Sequence, residues 1–333
     1  MDTLLTGAAF GAALTASGVY QPSVIISQLK FENFHMIQTF LTAAGTSAAV
    51  VTAANKLGYV QLKPRPYSSI GLFSKADGNI IGGLLLGAGM MLSGACPGTV
   101  LAQVGVGVRS GLYALEGCAV AGIVWTGFLH PYLSSSCGLK PAVSPKDKKE
   151  DEKQLAVYEC LGVSRSTVFL GLEAMFAAII TAAVMFSSVG PEAKIPPVIG
   201  GLCIAAAQLL SILWRKQLIG TSTSYEEVGD WFWGILKGHM SPRRYNNILF
   251  TVGMTGGAWL LSRMYPALGE VTEVAVSPLA AGLGGFLMVI GSRMAGGCTS
   301  GHGISGISLL STSSFLTIGT AFAAGGLVGL LRG

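Results

Sequence analysis

Long apolar stretches separated by short polar turns recur along the whole chain. A transmembrane helix needs roughly 20 mostly apolar residues, and nine stretches approach that length. They lie near residues 3–19, 36–57, 78–95, 111–130, 165–188, 196–215, 245–264, 278–296 and 314–331. The pattern predicts an all-α, polytopic (multi-pass) protein of the cell membrane, with about nine transmembrane helices and the lipid bilayer as its surroundings.

Four shorter apolar segments each begin at a turn rich in glycine, serine, threonine or proline. They lie near residues 22–30, 97–108, 223–236 and 300–311. Because they are too short to cross a bilayer, they predict four re-entrant half-helices. Non-helical backbone at membrane depth is tolerated only where protein buries it or where it lines a polar cavity. Four such breaks indicate a transport pathway.

The two halves of the chain resemble each other. Residues 82–96 align without gaps to 284–298, which pairs Cys96 with Cys298 at an offset of 202 residues, and the same offset places Gly18 on Gly220. An odd number of crossings between equivalent points predicts an inverted repeat, as in many transporters. The resulting organisation is one membrane domain, 1–333, comprising a first repeat 1–133, a hydrophilic linker plus connecting helix 134–195, and a second repeat 196–333.

Composition excludes several classes of protein. Only 11% of residues are charged and 51% are hydrophobic, whereas a soluble domain carries about 25% charged residues. The net charge of +5 is modest, so nucleic-acid binding is not predicted. The six cysteines are spread singly, which favours neither a disulfide framework nor a zinc site, and we expect no metal or other cofactor. Four of them are predicted to be inert packing residues: Cys118, Cys137, Cys160 and Cys203.

Cys96 and Cys298 carry the candidate chemistry. Each lies among glycines just before a predicted half-helix, whose N-terminus would direct free N–H groups and a positive dipole toward an anion. A neutral thiol is a weak, polarizable donor that matches a soft sulfur atom in a passing solute. The predicted binding site adds neighbouring turn residues and donors: Gly94, Pro97, Gly98, Thr99, Gly297, Thr299, Ser300 and His302.

Arg293 lies within a predicted transmembrane helix, where a charged side chain is costly and therefore indicates a function. It either lines the site and attracts anions or pairs with a carboxylate. Glu116 and Glu173 are the candidate partners, and either could instead serve proton coupling.

Two loops identify a family resemblance. Residues 94–99 (Gly-Ala-Cys-Pro-Gly-Thr) and 293–306 (Arg-Met-Ala-Gly-Gly-Cys-Thr-Ser-Gly-His-Gly-Ile-Ser-Gly) resemble the signature loops of the YeeE/YedE (sulfur transport) family. The resemblance implies uptake of thiosulfate or a related sulfur-containing anion through an inverted-repeat fold, with Cys96 and Cys298 facing the path. Members can carry another cysteine in the first break, where this chain has Tyr20 and Gln21 as replacement hydrogen-bond donors. A cytoplasmic sulfur-carrier protein is a candidate partner.

Two mechanisms remain open at this point. The main hypothesis is a transporter rather than an enzyme, in which neutral thiols pass the anion along by hydrogen bonds. The alternative is a membrane thiol oxidoreductase or sulfur-relay protein, which requires a covalent persulfide or disulfide intermediate. Sulfite or a selenium compound is an alternative cargo for the same architecture.

Overall fold

A computed structural model of the protein describes residues 1–136, 155–186, 194–238, 245–272 and 274–332. Cys137 and the charged linker near 144–153 lie outside these ranges. In the first half the described helices are α1 (Asp2–Ala16), α2 (Pro22–Leu29), α3 (His35–Lys56), α4 (Asp77–Ser93), α5 (Thr99–Val106), α6 (Arg109–Val124) and α7 (His130–Ser136), with a π-helical turn (Trp125–Leu129) between the last two.

The rest of the described chain is also helical. It contains α8 (Val157–Leu161), α9 (Arg165–Phe186), α10 (Pro197–Arg215), α11 (Ser222–Leu236), α12 (Asn246–Met264), a 3₁₀ turn (Pro266–Leu268), α13 (Pro278–Met294), a π-helix (Thr299–Gly306) and α14 (Thr312–Leu331). All nine stretches predicted to span and all four predicted half-helices coincide with helical segments.

Among the described residues, five helical segments are long and apolar enough to cross a membrane. They are His35–Lys56, Arg109–Leu133, Arg165–Met185, Pro197–Arg215 and Thr312–Leu331. A sixth arises if α13 and the π-helix, bent by 47°, form one broken span. The all-helical, multi-pass class is therefore as expected, while nine crossings and an inverted repeat stay predictions. One reason for the lower count is that α4 ends after 17 residues, at Gly94, whose φ of +62° suits glycine.

Helices from the two halves pack against each other in reciprocal pairs. α1 packs against α12 and α10 against α3, while α6 packs against α13 and α14 against α4. At the centre α4 crosses α13. A methyl group on Gly89 would lie 2.6 Å from the Gly284 carbonyl oxygen, and one on Gly284 would lie 2.7 Å from that of Gly89. Glycine therefore lets the two backbones approach closely, which brings the two cysteine-bearing breaks into one core.

The loop that joins α3 to α4 folds over the break containing Cys298. Ser68 donates a hydrogen bond to the carbonyl oxygen of Met294 (2.6 Å). Asp77 is fully buried, and its carboxylate accepts backbone N–H bonds from Ile70 (2.7 Å) and Leu72 (2.6 Å). Since a buried carboxylate needs such donors, Asp77 holds this loop in a fixed shape.

Candidate functional site

Cys96 lies where the chain turns from α4 into α5. Its backbone N–H donates to Thr99 Oγ1 (2.7 Å), and the N–H of Thr99 donates to Cys96 Sγ (3.4 Å). The sulfur is half-buried and sits at the N-terminus of α5, as the sequence predicts. Gly94 ends α4 in the left-handed conformation, and Gln103 of α5 donates to the Gly94 carbonyl oxygen (2.8 Å). Local backbone bonds thus fix the position of this thiol.

Cys298 is completely buried and surrounded by donors. Its Sγ lies 3.1 Å from Ser300 Oγ and 3.3 Å from Thr221 Oγ1. Gly296 reverses the chain before the cysteine with a φ of +79°, and the segment after it is a π-helix rather than an α-helix. π-Helical turns are rare and are frequently found at functional sites.

Thr221, which is not among the predicted site residues, lies beside Cys298. Besides contacting Cys298, its Oγ1 would lie 3.6 Å from a methyl group on Gly98, and that methyl group would lie 3.9 Å from Cys96 Sγ. Gly98 therefore borders both the Cys96 sulfur and the Thr221 hydroxyl. The sequence did contain a signal for Thr221: it directly follows Gly220, which the repeat offset of 202 residues pairs with Gly18 in the first break.

A cavity of about 60 Å³ opens beside Cys96. Five of the predicted site residues line it: Cys96, Gly98, Thr99, Thr299 and Ser300. The rest of the wall is mostly apolar and includes Val19 from the first break. A single water molecule needs a cavity of about 10–15 Å³, so this cavity can hold several water molecules or a small anion.

Thr299 supplies the most informative atom in this cavity. Its hydroxyl is buried and has no hydrogen-bond partner in the described part of the protein. An unsatisfied buried hydroxyl costs about 1–3 kcal/mol, and such groups call for an explanation. A polar guest would supply the missing partner only if the Thr299 hydroxyl turned into the cavity.

Tyr20 and Gln21 turn toward a different part of the protein. The Tyr20 hydroxyl donates to the carbonyl oxygens of Leu268 (3.0 Å) and Glu270 (3.3 Å). Gln21 Oε1 accepts the backbone N–H of Thr272 (3.3 Å). These contacts hold the first break against the loop that joins α12 to α13. Neither residue lines the cavity, so their role as replacement donors stays a prediction.

His302 and Pro97 each make a contact that supports a loop. The buried His302 donates from Nε2 to the Ala295 carbonyl oxygen (3.0 Å), so its neutral ring accepts the Ser314 hydroxyl at Nδ1 (2.9 Å). The Pro97 carbonyl oxygen accepts the Tyr225 hydroxyl (2.7 Å). Gly297 lies against the His302 ring, where a methyl group would come within 2.9 Å of Cδ2. The two hydrogen bonds of the His302 ring hold the loop that contains Cys298, and His302 does not line the cavity.

Arg293 pairs with Glu226 of α11. The prediction of Glu116 or Glu173 as its partner is therefore wrong, because the partner lies on a half-helix and not on a predicted transmembrane helix. The half-helix α11 packs against α13 and brings its own carboxylate to the end of that helix. The Oε2 atom of Glu173 would instead lie 2.8 Å from a methyl group on Gly45 of α3.

Metal binding and disulfides find no support in the residues that the structure describes. Within them no three histidine, cysteine, aspartate or glutamate side chains are grouped to hold a metal ion. The described cysteines are all free thiols: Cys96, Cys118, Cys160, Cys203 and Cys298.

Comparison with known proteins adds independent information. The family described as "Sulphur transport" matches residues 16–328. The thiosulfate transporter TsuA of Spirochaeta thermophila is 27% identical over 327 residues, which cover 94% of this chain and 93% of that protein. Two probable transporters from strains of Xylella fastidiosa are 33% and 32% identical over 133 residues, which cover 38% of this chain and 90% of theirs.

Proposed function

The chain belongs to the sulphur transport family, and on this basis we propose that it carries thiosulfate or a related sulfur-containing anion across the cell membrane. The observation that carries the proposal is the cavity lined by Cys96 and by Thr299, a residue whose hydroxyl lacks a hydrogen-bond partner in the described structure. A relative similar along nearly its whole length is named a thiosulfate transporter. The residues around the cavity thus include one thiol, Cys96, and three that carry a hydroxyl group, Thr99, Thr299 and Ser300.

The proposed path runs from Cys96 to Cys298 by way of Thr221. Thiosulfate has a soft terminal sulfur and a hard sulfonate end, so a thiol can donate to the first while hydroxyl and backbone donors bind the second. Each step exchanges one set of hydrogen bonds for another, and no covalent bond forms. Donors fixed by the surrounding backbone need little rearrangement as the anion moves.

The inverted repeat remains part of this proposal. The reciprocal pairing of α1 with α12 and of α10 with α3 is what two equivalent halves, 1–133 and 196–333, would produce. Two relatives are also shorter than half of this chain, because the aligned 133 residues make up most of their length. Both observations support two related halves, with broken helices meeting near the midplane.

Uptake in a thiosulfate-requiring host tests the proposed function. We expect Cys96→Ala and Cys298→Ala to abolish growth on thiosulfate and uptake of labelled thiosulfate. Cys203→Ala is the matched control, because Cys203 lies in α10 and does not line the cavity. Quantified membrane insertion must be equal for all variants. Normal uptake by both test variants would disprove a thiol-dependent path.

The donors around Cys298 favour one second candidate, a sulfur relay. The Cys298 thiolate would attack the terminal sulfur of thiosulfate and form a cysteine persulfide. The sulfur–sulfur bond of thiosulfate breaks in this step, and sulfite leaves with the electron pair. A cytoplasmic sulfur-carrier protein would then accept that sulfur. Mass spectrometry after turnover distinguishes the two mechanisms, because only the relay adds one sulfur atom to the Cys298 peptide.

A further inference from the structure

The loop between α3 and α4 places the guanidinium of Arg65 against the Cys298 break. Arg65 Nη1 donates to the Gly296 carbonyl oxygen (3.2 Å). A methyl group on Gly297 would lie 3.0 Å from Nη1, and one on Gly301 would lie 3.5 Å from Nη2. Gly296, Gly297 and Gly301 flank Cys298 in the chain, so the positive charge lies at the break that carries this cysteine. Glycines on both sides of the cysteine thus leave the space that the guanidinium occupies.

We propose that Arg65 forms an anion-binding station at the Cys298 end of the path, and this inference rests on the proposed function. The station would take a tetrahedral oxyanion such as the sulfonate end of thiosulfate. A guanidinium presents a planar fork of donors that matches such oxygens better than a single ammonium does.

The charge of Arg65 lacks a protein counter-ion in the described structure. Its Nε is buried and has no hydrogen-bond partner there, and no described carboxylate forms a salt bridge with it. Arg293, by contrast, is paired with Glu226. The side chain as a whole is partly buried, and a buried N–H without an acceptor is unfavourable. A passing anion would supply both the charge and the acceptor that Arg65 lacks.

Backbone contacts fix Arg65 in this position. Its N–H donates to Ser311 Oγ (2.8 Å), and its carbonyl oxygen accepts the Ser313 hydroxyl (3.0 Å). The same loop is held further along by Ser68 and Asp77. A cation anchored on both sides is already oriented for binding, so little conformational entropy is lost when the anion arrives.

The position that the proposed repeat pairs with Arg65 carries no cation. The repeat offset of 202 places Arg65 on Ala267, in the loop that meets Tyr20. The described loop there contains Glu270, which pairs with Lys194 (2.7 Å). The shared fold therefore does not require an arginine at this point. Its presence at one end makes the two ends of the path chemically different.

Three variants of purified protein test this station. Arg65→Gln removes the positive charge, whereas Arg65→Lys keeps the charge but lacks the planar set of guanidinium donors. Lys63→Gln removes an exposed charge from the same loop. In proteoliposomes we expect Arg65→Gln to raise the half-saturating thiosulfate concentration about tenfold or more, as loss of a charge-assisted bond implies. Arg65→Lys should recover part of this affinity, and Lys63→Gln should match the wild type.

Thermal unfolding in detergent separates this inference from the transport proposal. Sodium thiosulfate, compared with sodium chloride at equal ionic strength, should stabilise the wild type and Lys63→Gln but not Arg65→Gln. That result supports the station even if uptake is absent, in which case only the transport proposal fails. An equal thiosulfate-dependent shift in Arg65→Gln, or no shift in the wild type, would overturn the station. A lower melting temperature without anion, combined with an unchanged shift, would show a merely structural role.

Discussion

Thr221 Oγ1 lies 3.3 Å from Cys298 Sγ, and Gly98 separates it from Cys96. This contact joins the first break of one half to both cysteine-bearing breaks. In the first half the equivalent residue is Val19, which lines the cavity without a hydroxyl. We therefore expect the Thr221 hydroxyl to lie between the two thiols along the path.

Removing that hydroxyl should slow transport without unfolding the protein. Valine has nearly the shape of threonine but cannot donate a hydrogen bond. Thr221→Val should therefore reduce thiosulfate uptake about tenfold, which corresponds to the loss of one hydrogen bond worth about 1–1.5 kcal/mol. Thr221→Ser keeps the hydroxyl and should retain most activity. Initial uptake rates at equal membrane abundance measure the effect. Equal rates for Thr221→Val and the wild type would remove this residue from the path.

A methyl group on Gly98 should narrow the same passage. It would lie 3.6 Å from Thr221 Oγ1 and 3.9 Å from Cys96 Sγ, which are ordinary contacts, so Gly98→Ala should change stability by less than about 1.5 kcal/mol. Uptake should fall about tenfold, because one added carbon in a tight site can cost that much. Gly256→Ala is the control, since a methyl group there meets nothing within 4 Å. A similar uptake loss in the control would refute a local block.

Much of the helical framework could be predicted from the apolar pattern. The predicted stretch 36–57 corresponds to His35–Lys56, and 245–264 corresponds to Asn246–Met264. Sequence spacing also located Cys96 and Cys298, because glycine at the turns is a local requirement for a left-handed backbone. Features of this kind depend on near neighbours in the chain and can be read from them.

Contacts between distant parts of the chain could not be predicted in this way. Arg65 lies in a loop, and only the folding of that loop onto the second half brings it to the Cys298 break. Likewise the partner of Arg293 lies on a half-helix, and Thr221 reaches Cys298 across 77 residues. Tertiary packing decides these pairings, and no periodicity in a single sequence records them.

The ion pair between Arg293 and Glu226 should contribute to stability rather than to anion binding. Its two side chains are 15% and 27% exposed, so losing one partner leaves the other charge poorly solvated. Glu226→Gln should lower the free energy of unfolding by about 2 kcal/mol. The double variant Arg293→Met with Glu226→Leu should recover most of that loss and keep uptake. Thermal unfolding and uptake are both measured, and a stable double variant without uptake would place Arg293 on the path.

Equivalent glycines at the crossing of α4 and α13 should respond alike to substitution. A methyl group on Gly82 would overlap the Gly291 carbonyl oxygen, and one on Gly284 would lie 2.7 Å from that of Gly89. Gly82→Ala and Gly284→Ala should therefore each destabilise the protein by about 1–3 kcal/mol. Gly319→Ala in α14 has open space around it and serves as control. Melting temperatures in detergent provide the measurement; a large loss for Gly82→Ala with none for Gly284→Ala would contradict a reciprocal crossing and the inverted repeat that it supports.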